Sequence, residues 1–224
     1  MFRSVVSLTS LTLLATAAVV FACFSAAHGQ DSEGKEPEAD KPSPEAEVKQ
    51  APRLIDARQY RIGELIEDVA FTDLAGVAGK LSDFKGSTLV VVTTNTTCPL
   101  CKRFMPTLAE IEKRYGEKGV KFLFVNFTEG ETVESAKKCV EAAGFKSRYA
   151  LDPKAEIGRA LRALTTTDTW VLDGSRTLRY RGAVDDQFGI GYMLDKPRQS
   201  YLTEAIDSVL AGTSPLIRAT WAPG

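Results

Sequence analysis

Residues 87–108 read STLVVVTTNTTCPLCKRFMPTL. A largely β-branched run passes through a Cys-x-x-Cys motif into a helical pattern. STLVVVTT lacks the apolar–polar alternation of a half-buried strand, so it reads as a strand covered on both faces. A strand of that kind needs helices or further layers above and below it, which confines the chain to layered α/β architectures. Phe104, Leu108, Ile111 and Tyr115 then recur at helical spacing, and Gly116 and Gly119 end the helix. VKFLFVNFT is a second buried strand, and a right-handed crossover is expected between the two parallel strands.

The rest of the chain extends this pattern. A short strand is expected around Val69–Thr72, with turns at Gly76 and Gly79. Glu131–Ala143 reads as a helix closed by Gly144, and KAEIGRALRAL as another. TWVLDGSRTLRYRG is a hairpin around an Asp-Gly turn. SYLTEAIDSVLAG is a last amphipathic helix, with Leu202, Ala205, Ile206, Val209 and Leu210 on one face. The order is βαβα, a hairpin, then α.

Both ends read differently. Residues 1–29 have Arg3, an apolar stretch from Val5 to Phe24 and a small-residue exit, the pattern of a secretory signal peptide cleaved near Ala27–Gly29. A retained membrane anchor is the alternative. Residues 30–53 are acidic, Lys-rich and Pro-rich, a composition that cannot bury enough surface to offset ordering entropy, and read as a disordered linker. The folded domain is expected over 54–212. Residues 213–224, TSPLIRATWAPG, read as a C-terminal tail with exposed apolar residues, with a truncated chain as one reading of it.

Charge and residue counts exclude several functions. The net charge is −1, with 28 Lys and Arg against 29 Asp and Glu, so nothing suggests a nucleic-acid footprint. The single histidine, His28, lies in the signal, so the mature domain has no histidine for a catalytic triad or a metal site. Of the four cysteines, Cys23 leaves with the signal, and Cys98, Cys101 and Cys139 remain. An odd count in an exported chain favours one functional pair and a leftover thiol over a disulfide framework.

Cys98 and Cys101 stand between a strand and a helix. A helix N-terminus presents unpaired N–H groups and partial positive charge, which stabilise a thiolate. Cys98 is then the exposed nucleophile, and Cys101, one turn in, resolves the mixed disulfide. Pro99 suits the first helical turn. A zinc site needs four ligands, and only Cys139 and carboxylates remain to complete one. A structural staple across so short a loop stabilises little. A redox couple is the reading that these residues favour. Cys139 reads as a packed helix residue, with a second resolving role as the alternative. Asp185 and Asp186 read as turn caps or solvated carboxylates, with cation binding or activation of water as the alternative, and QFGIGYMLDKPRQ as a loop over the active-site face.

TTCPLCKRFMPTLAEIEKRYGEKGVKFLFVNFTEG resembles the active-site segment of thioredoxin-like proteins, with Lys102 as the basic residue after the motif and Pro106 as the helix proline. IGELIEDVAFTDLAG, LSDFKG and VLDGSRTLRYRGAVDD resemble the redoxin branch, the alkyl hydroperoxide reductase/thiol-specific antioxidant group. The resemblance covers about residues 60–212. It implies an α/β fold with a thioredoxin-like central mixed sheet flanked by helices on both faces.

It also implies catalysis by Cys98 and Cys101, substrate contacts from Pro99, Thr166 and Thr167, no metal and no cofactor. The implied partners are protein or small-molecule disulfides, or peroxides, and an extracytoplasmic reductant. No nucleic acid is implied, and a membrane only through an uncleaved signal. The implied location is exported, in the periplasm or elsewhere outside the cytoplasm.

The chain departs from the family pattern in two places. The family's cis-proline before the hairpin is replaced in ALTTTDTWVLD by Thr167 or Asp168. Asn95 stands three residues before Cys98, where peroxidases of the branch carry Thr or Ser. Thiol–disulfide exchange is therefore the leading function. The alternatives are a peroxiredoxin-like antioxidant and a redox-inert binding module on the same fold.

Overall fold

The computed structural model describes residues 51–224. The signal peptide and most of the linker expected from the sequence lie outside the described residues. A five-stranded sheet is built from β3 (Leu89–Thr93), β4 (Lys121–Asn126), β5 (Arg148–Leu151), β6 (Thr169–Leu172) and β7 (Leu178–Gly182). Its order is β5-β4-β3-β6-β7. β3 and β4 are parallel, as are β4 and β5, whereas β6 and β7 run antiparallel to their neighbours. The sheet is therefore mixed, as the resemblance implies.

Alternation along β3 and β4 explains their unbroken apolar sequence. Val90, Val92, Phe122 and Phe124 enter one core, and Leu89, Val91, Leu123 and Val125 enter the core on the other face. The first core is covered by α1 (Pro99–Gly116), α2 (Val133–Ala143) and α4 (Tyr201–Leu210), through Phe104, Leu108, Tyr115, Ala136, Leu202 and Ile206. The second is covered by α3 (Glu156–Leu161), by the 3-10 turn Leu81–Phe84 and by the hairpin β1 (Ala70–Thr72) with β2 (Ala78–Lys80).

Four strands go beyond the sequence expectations. β2 and β5 are short and lack the β-branched runs that mark a strand. A further small hairpin, β8 (Phe188–Gly189) with β9 (Tyr192–Met193), occupies the segment expected to be a loop. It packs on α1, where Phe188 meets Phe104 edge-on with ring centroids 5.2 Å apart.

The last segment is only partly as expected. Leu216 and Trp221 are exposed, but Ala219, Thr220, Ala222 and Pro223 are buried. Residue 219 bridges β7 in parallel at Arg181, and residue 220 bridges Leu54 in antiparallel sense. The tail thus adds backbone pairing beyond β7, with residues 53–55 outside it.

Candidate active site

β3 delivers the chain to a turn at the carboxyl edge of the sheet, and α1 begins there. Cys98 is the N-cap of α1 and Pro99 its first residue. The Asn95 side chain shapes the turn. Its Oδ1 accepts from the N–H of Thr97 (2.6 Å), the hydroxyl of Thr97 (2.8 Å) and the N–H of Cys98 (2.8 Å). Its Nδ2 donates to Thr128 Oγ1 at 2.6 Å. A polar network continues below it. Asn126 accepts from the Thr128 N–H and donates to Glu131, and Thr96 also donates to Glu131.

The two sulfurs have unlike surroundings. Cys98 is half-buried. Its Sγ accepts from Thr166 Oγ1 at 3.2 Å and from the N–H of Cys101 at 3.5 Å. Partial burial pushes the Cys98 thiol up. Hydrogen bonds from Thr166, Cys101 and the N–H of Leu100 outweigh that, so the net displacement is below the ordinary thiol value. Cys101 is buried, and its thiol donates to the carbonyl of Thr166 at 3.1 Å. Burial pushes the Cys101 thiol up to about 12; Thr166 opposes this and Cys98 adds to it.

Thr166 therefore touches both sulfurs, one through its hydroxyl and the other through its carbonyl. Its loop is tied down on three sides. Thr93 Oγ1 donates to the carbonyls of Thr165 (3.0 Å) and Asp168 (2.9 Å). Asp168 Oδ2 accepts from the N–H of Leu164 at 2.8 Å and pairs with the buried Arg181 at 3.1 Å. Arg181 also stacks on Tyr60 and donates to the carbonyl of Arg162. Thr167 donates its hydroxyl to the carbonyl of Pro223. No peptide bond among the described residues is cis.

The expected site residues divide accordingly. Cys98, Cys101 and Thr166 come together, and Pro99 opens the helix beside them. Thr167 is next to Thr166, but its hydroxyl is committed to the tail. Cys139 lies on α2 with its sulfur 3.9 Å from that of Met105, and burial, then the charge of Glu131, push its thiol up against a smaller pull from Lys102. Asp186 accepts from the backbone of Arg198 and Gln199, and Asp185 from that of Gln187, so both anchor turns. Among the described residues, no group of three His, Cys, Asp or Glu side chains is arranged to hold a metal ion.

In the sequence alone Asn95 stands out only as a departure from peroxidases, and nothing marks Arg181 or Pro223. An Asn three residues before a helix N-cap is a recognisable turn signal. The partners of Arg181 and Pro223 are distant in sequence and left no local trace.

The Redoxin family model matches residues 61–190, more than half of the chain. The chain belongs to the Redoxin family. Among its relatives is the thiol-disulfide oxidoreductase ResA of Geobacillus kaustophilus (strain HTA426). It is 30% identical over 112 residues, which span 50% of this chain and 63% of that protein. The homologue of the same name from Bacillus thuringiensis subsp. konkukian (strain 97-27) is 29% identical over 115 residues, 51% of this chain and 65% of that protein. The chain thus spans a little under two thirds of these relatives. The thioredoxin-like redoxin fold has a solved counterpart in a hypothetical protein from Sinorhizobium meliloti 1021. The TM-score is 0.65 at 24% identity, covering 78% of this chain and 99% of that one.

Proposed function

We propose that this redoxin-family chain is an exported thiol–disulfide oxidoreductase in which Cys98 is the nucleophile and Cys101 the resolving thiol. The observation that carries this reading is the asymmetry of the pair. One sulfur is half-exposed at a helix N-terminus with its thiol displaced downward; the other is buried and displaced upward. That is the division of labour that exchange requires. The ResA relatives, named for this activity, support the same reading. Export rests on the signal-like pattern of residues 1–29.

The Cys98 thiolate attacks one sulfur of a substrate disulfide. A Cys98–substrate bond forms, the substrate S–S bond breaks, and one substrate thiolate leaves. Cys101 then attacks Cys98 Sγ and closes the Cys98–Cys101 disulfide. The second substrate thiolate departs and takes up the Cys101 proton. The substrate gains two electrons and the pair loses them; an extracytoplasmic dithiol restores the reduced pair. Thr166 attends both steps, by stabilising the Cys98 thiolate and by orienting the Cys101 thiol.

Reduction of insulin with dithiothreitol as electron source tests the proposal. The full chain is expected to accelerate precipitation, and Cys98→Ser to fall to the dithiothreitol background, a loss of at least about a hundredfold. Equal rates for the two proteins overturn the assignment of Cys98. An inert wild type that consumes hydrogen peroxide instead makes the chain a peroxidase.

A further inference from the structure

Residues 218–223 form a strap along the outer side of β7. The N–H of Arg181 donates to the carbonyl of Arg218, and the N–H of Thr220 donates back to the carbonyl of Arg181, each at 3.1 Å. Thr220 Oγ1 accepts from the N–H of Ala183 at 2.9 Å and lies 3.1 Å from the Tyr180 hydroxyl. The far edge of the strap is held too: Ile55 N–H donates to Ala219 O and Trp221 N–H to Arg53 O. Contact with β7 is close. Gly182 has φ +148, and a side chain there would come within 2.6 Å of the Thr220 carbonyl oxygen.

The strap leads to the thiol site. Pro223 is buried, and its carbonyl accepts the Thr167 hydroxyl. Residue 224 lies against Thr166: a Cβ there would stand 3.1 Å from Thr166 Oγ1. Thr166 in turn serves both sulfurs. A proline in this loop would fix its own φ through the ring, but threonine leaves φ free. Thr93, Asp168 and Arg181 hold residues 164, 165 and 168. The side-chain bond of Thr167 to Pro223 acts immediately beside Thr166.

We propose that Thr167 is a positioning residue and that the strap 218–223 is its anchor: the Thr167–Pro223 bond holds the Thr166 hydroxyl on Cys98. The tail then performs, by a hydrogen bond, the rigidifying task that a proline ring performs by covalent constraint. This inference rests on the reading of Cys98 as the nucleophile. The bland reading, in which the strap only closes the sheet edge, predicts no effect on the thiol of Cys98.

The test is the pH dependence of Cys98 alkylation by iodoacetamide in the reduced full chain, followed by peptide mass spectrometry so that Cys139 is scored separately. Thr167→Val keeps the shape and removes the donor; Thr167→Ser keeps the donor. Deletion of residues 222–224 removes the acceptor and supports the same conclusion if Thr167→Val misfolds. Thr167→Val and the deletion are expected to move the midpoint upward by about half to one pH unit, with a three- to tenfold smaller thiolate fraction below it. Thr167→Ser is expected to keep the wild-type midpoint. A wild-type midpoint in a folded Thr167→Val or deletion variant overturns the proposal. The alkylation profile needs no turnover. A shifted midpoint in a protein inert toward insulin would therefore keep the positioning role and reject the oxidoreductase reading. Active protein with an unmoved midpoint would do the reverse.

Discussion

Asn95 is the side chain on which the shape of the Cys98 turn depends most. One amide oxygen satisfies three donors, including the N–H of Cys98 itself. Asn95→Ala leaves these donors without their acceptor in a part-buried turn, and an unsatisfied buried donor costs about 1–3 kcal/mol. The expected outcome is a loss of about 2 kcal/mol in urea unfolding, with slower insulin reduction. An unchanged urea midpoint would show that water replaces the amide and that the turn holds itself. The contrast with Thr166 is informative. The placement of Cys98 and Cys101 at a strand-to-helix junction was legible because motif spacing and strand-to-helix placement are local properties. Thr166 was suggested only by resemblance, since the contact that matters joins residues 98 and 166 through the fold.

Helix α2 shows what a single element needs. Thr132 caps its start, accepting from the N–H of Ser135, and Gly144 closes its end with φ +77. The N–H of Gly144 donates to the carbonyls of Val140 and Glu141. Alanine at Gly144 would have to hold a left-handed conformation, at a cost of about 1 kcal/mol. Gly144→Ala is expected to lower the unfolding free energy by that amount in urea and to leave insulin reduction unchanged, because the cap lies at the end of α2 away from Thr96 and the Cys98 turn. A gain of stability, or a fall in activity, would contradict this account. This helix, α1, β3, β4 and the Asp173–Gly174 hairpin were legible because their periodicity or turn chemistry is self-contained. β5 was not: RYAL is a strand because the open edge of β4 accepts it and because Tyr149 and Ala150 fill opposite cores. β2, with Gly at its centre, is a strand only because β1 lies beside it.

Stability as a function of pH belongs to the whole molecule, and Asp185 gives it a readable component. Burial raises its carboxyl from 3.8 to about 6, with the Gln187 N–H opposing and Asp186 adding. The folded state therefore holds a proton that the unfolded chain has lost across that window. The contribution is complete below about pH 4, declines as pH rises toward 6, and is gone above it. Asp68, Asp73 and Glu131 are displaced downward and act in the opposite sense, so the wild-type curve is a composite. Comparison with Asp185→Asn isolates the one group, since an amide oxygen can still accept from Gln187. The expected outcome is that wild type loses on the order of 1–3 kcal/mol relative to the variant between about pH 4 and pH 7 in urea titrations. Parallel curves would place no buried proton on Asp185. The layer order was legible at this scale, because strands apolar on both faces demand cover on both faces. The docking of residues 218–223 was not, because TSPLIRATWAPG has no strand pattern of its own, and its partners lie at Arg53, Ile55 and Arg181.

That docking also sets an order in time. The strap joins residues 53–55 to residues 219–221, the two extremes of the described chain, and contacts between such distant segments close late because the intervening chain must first be gathered. Thr167 has its partner only when residues 218–223 are docked on β7. On the positioning role proposed for Thr167, the surroundings of Cys98 are complete only when both ends of the described chain are docked, so the reactivity of that thiol would report completion of the fold.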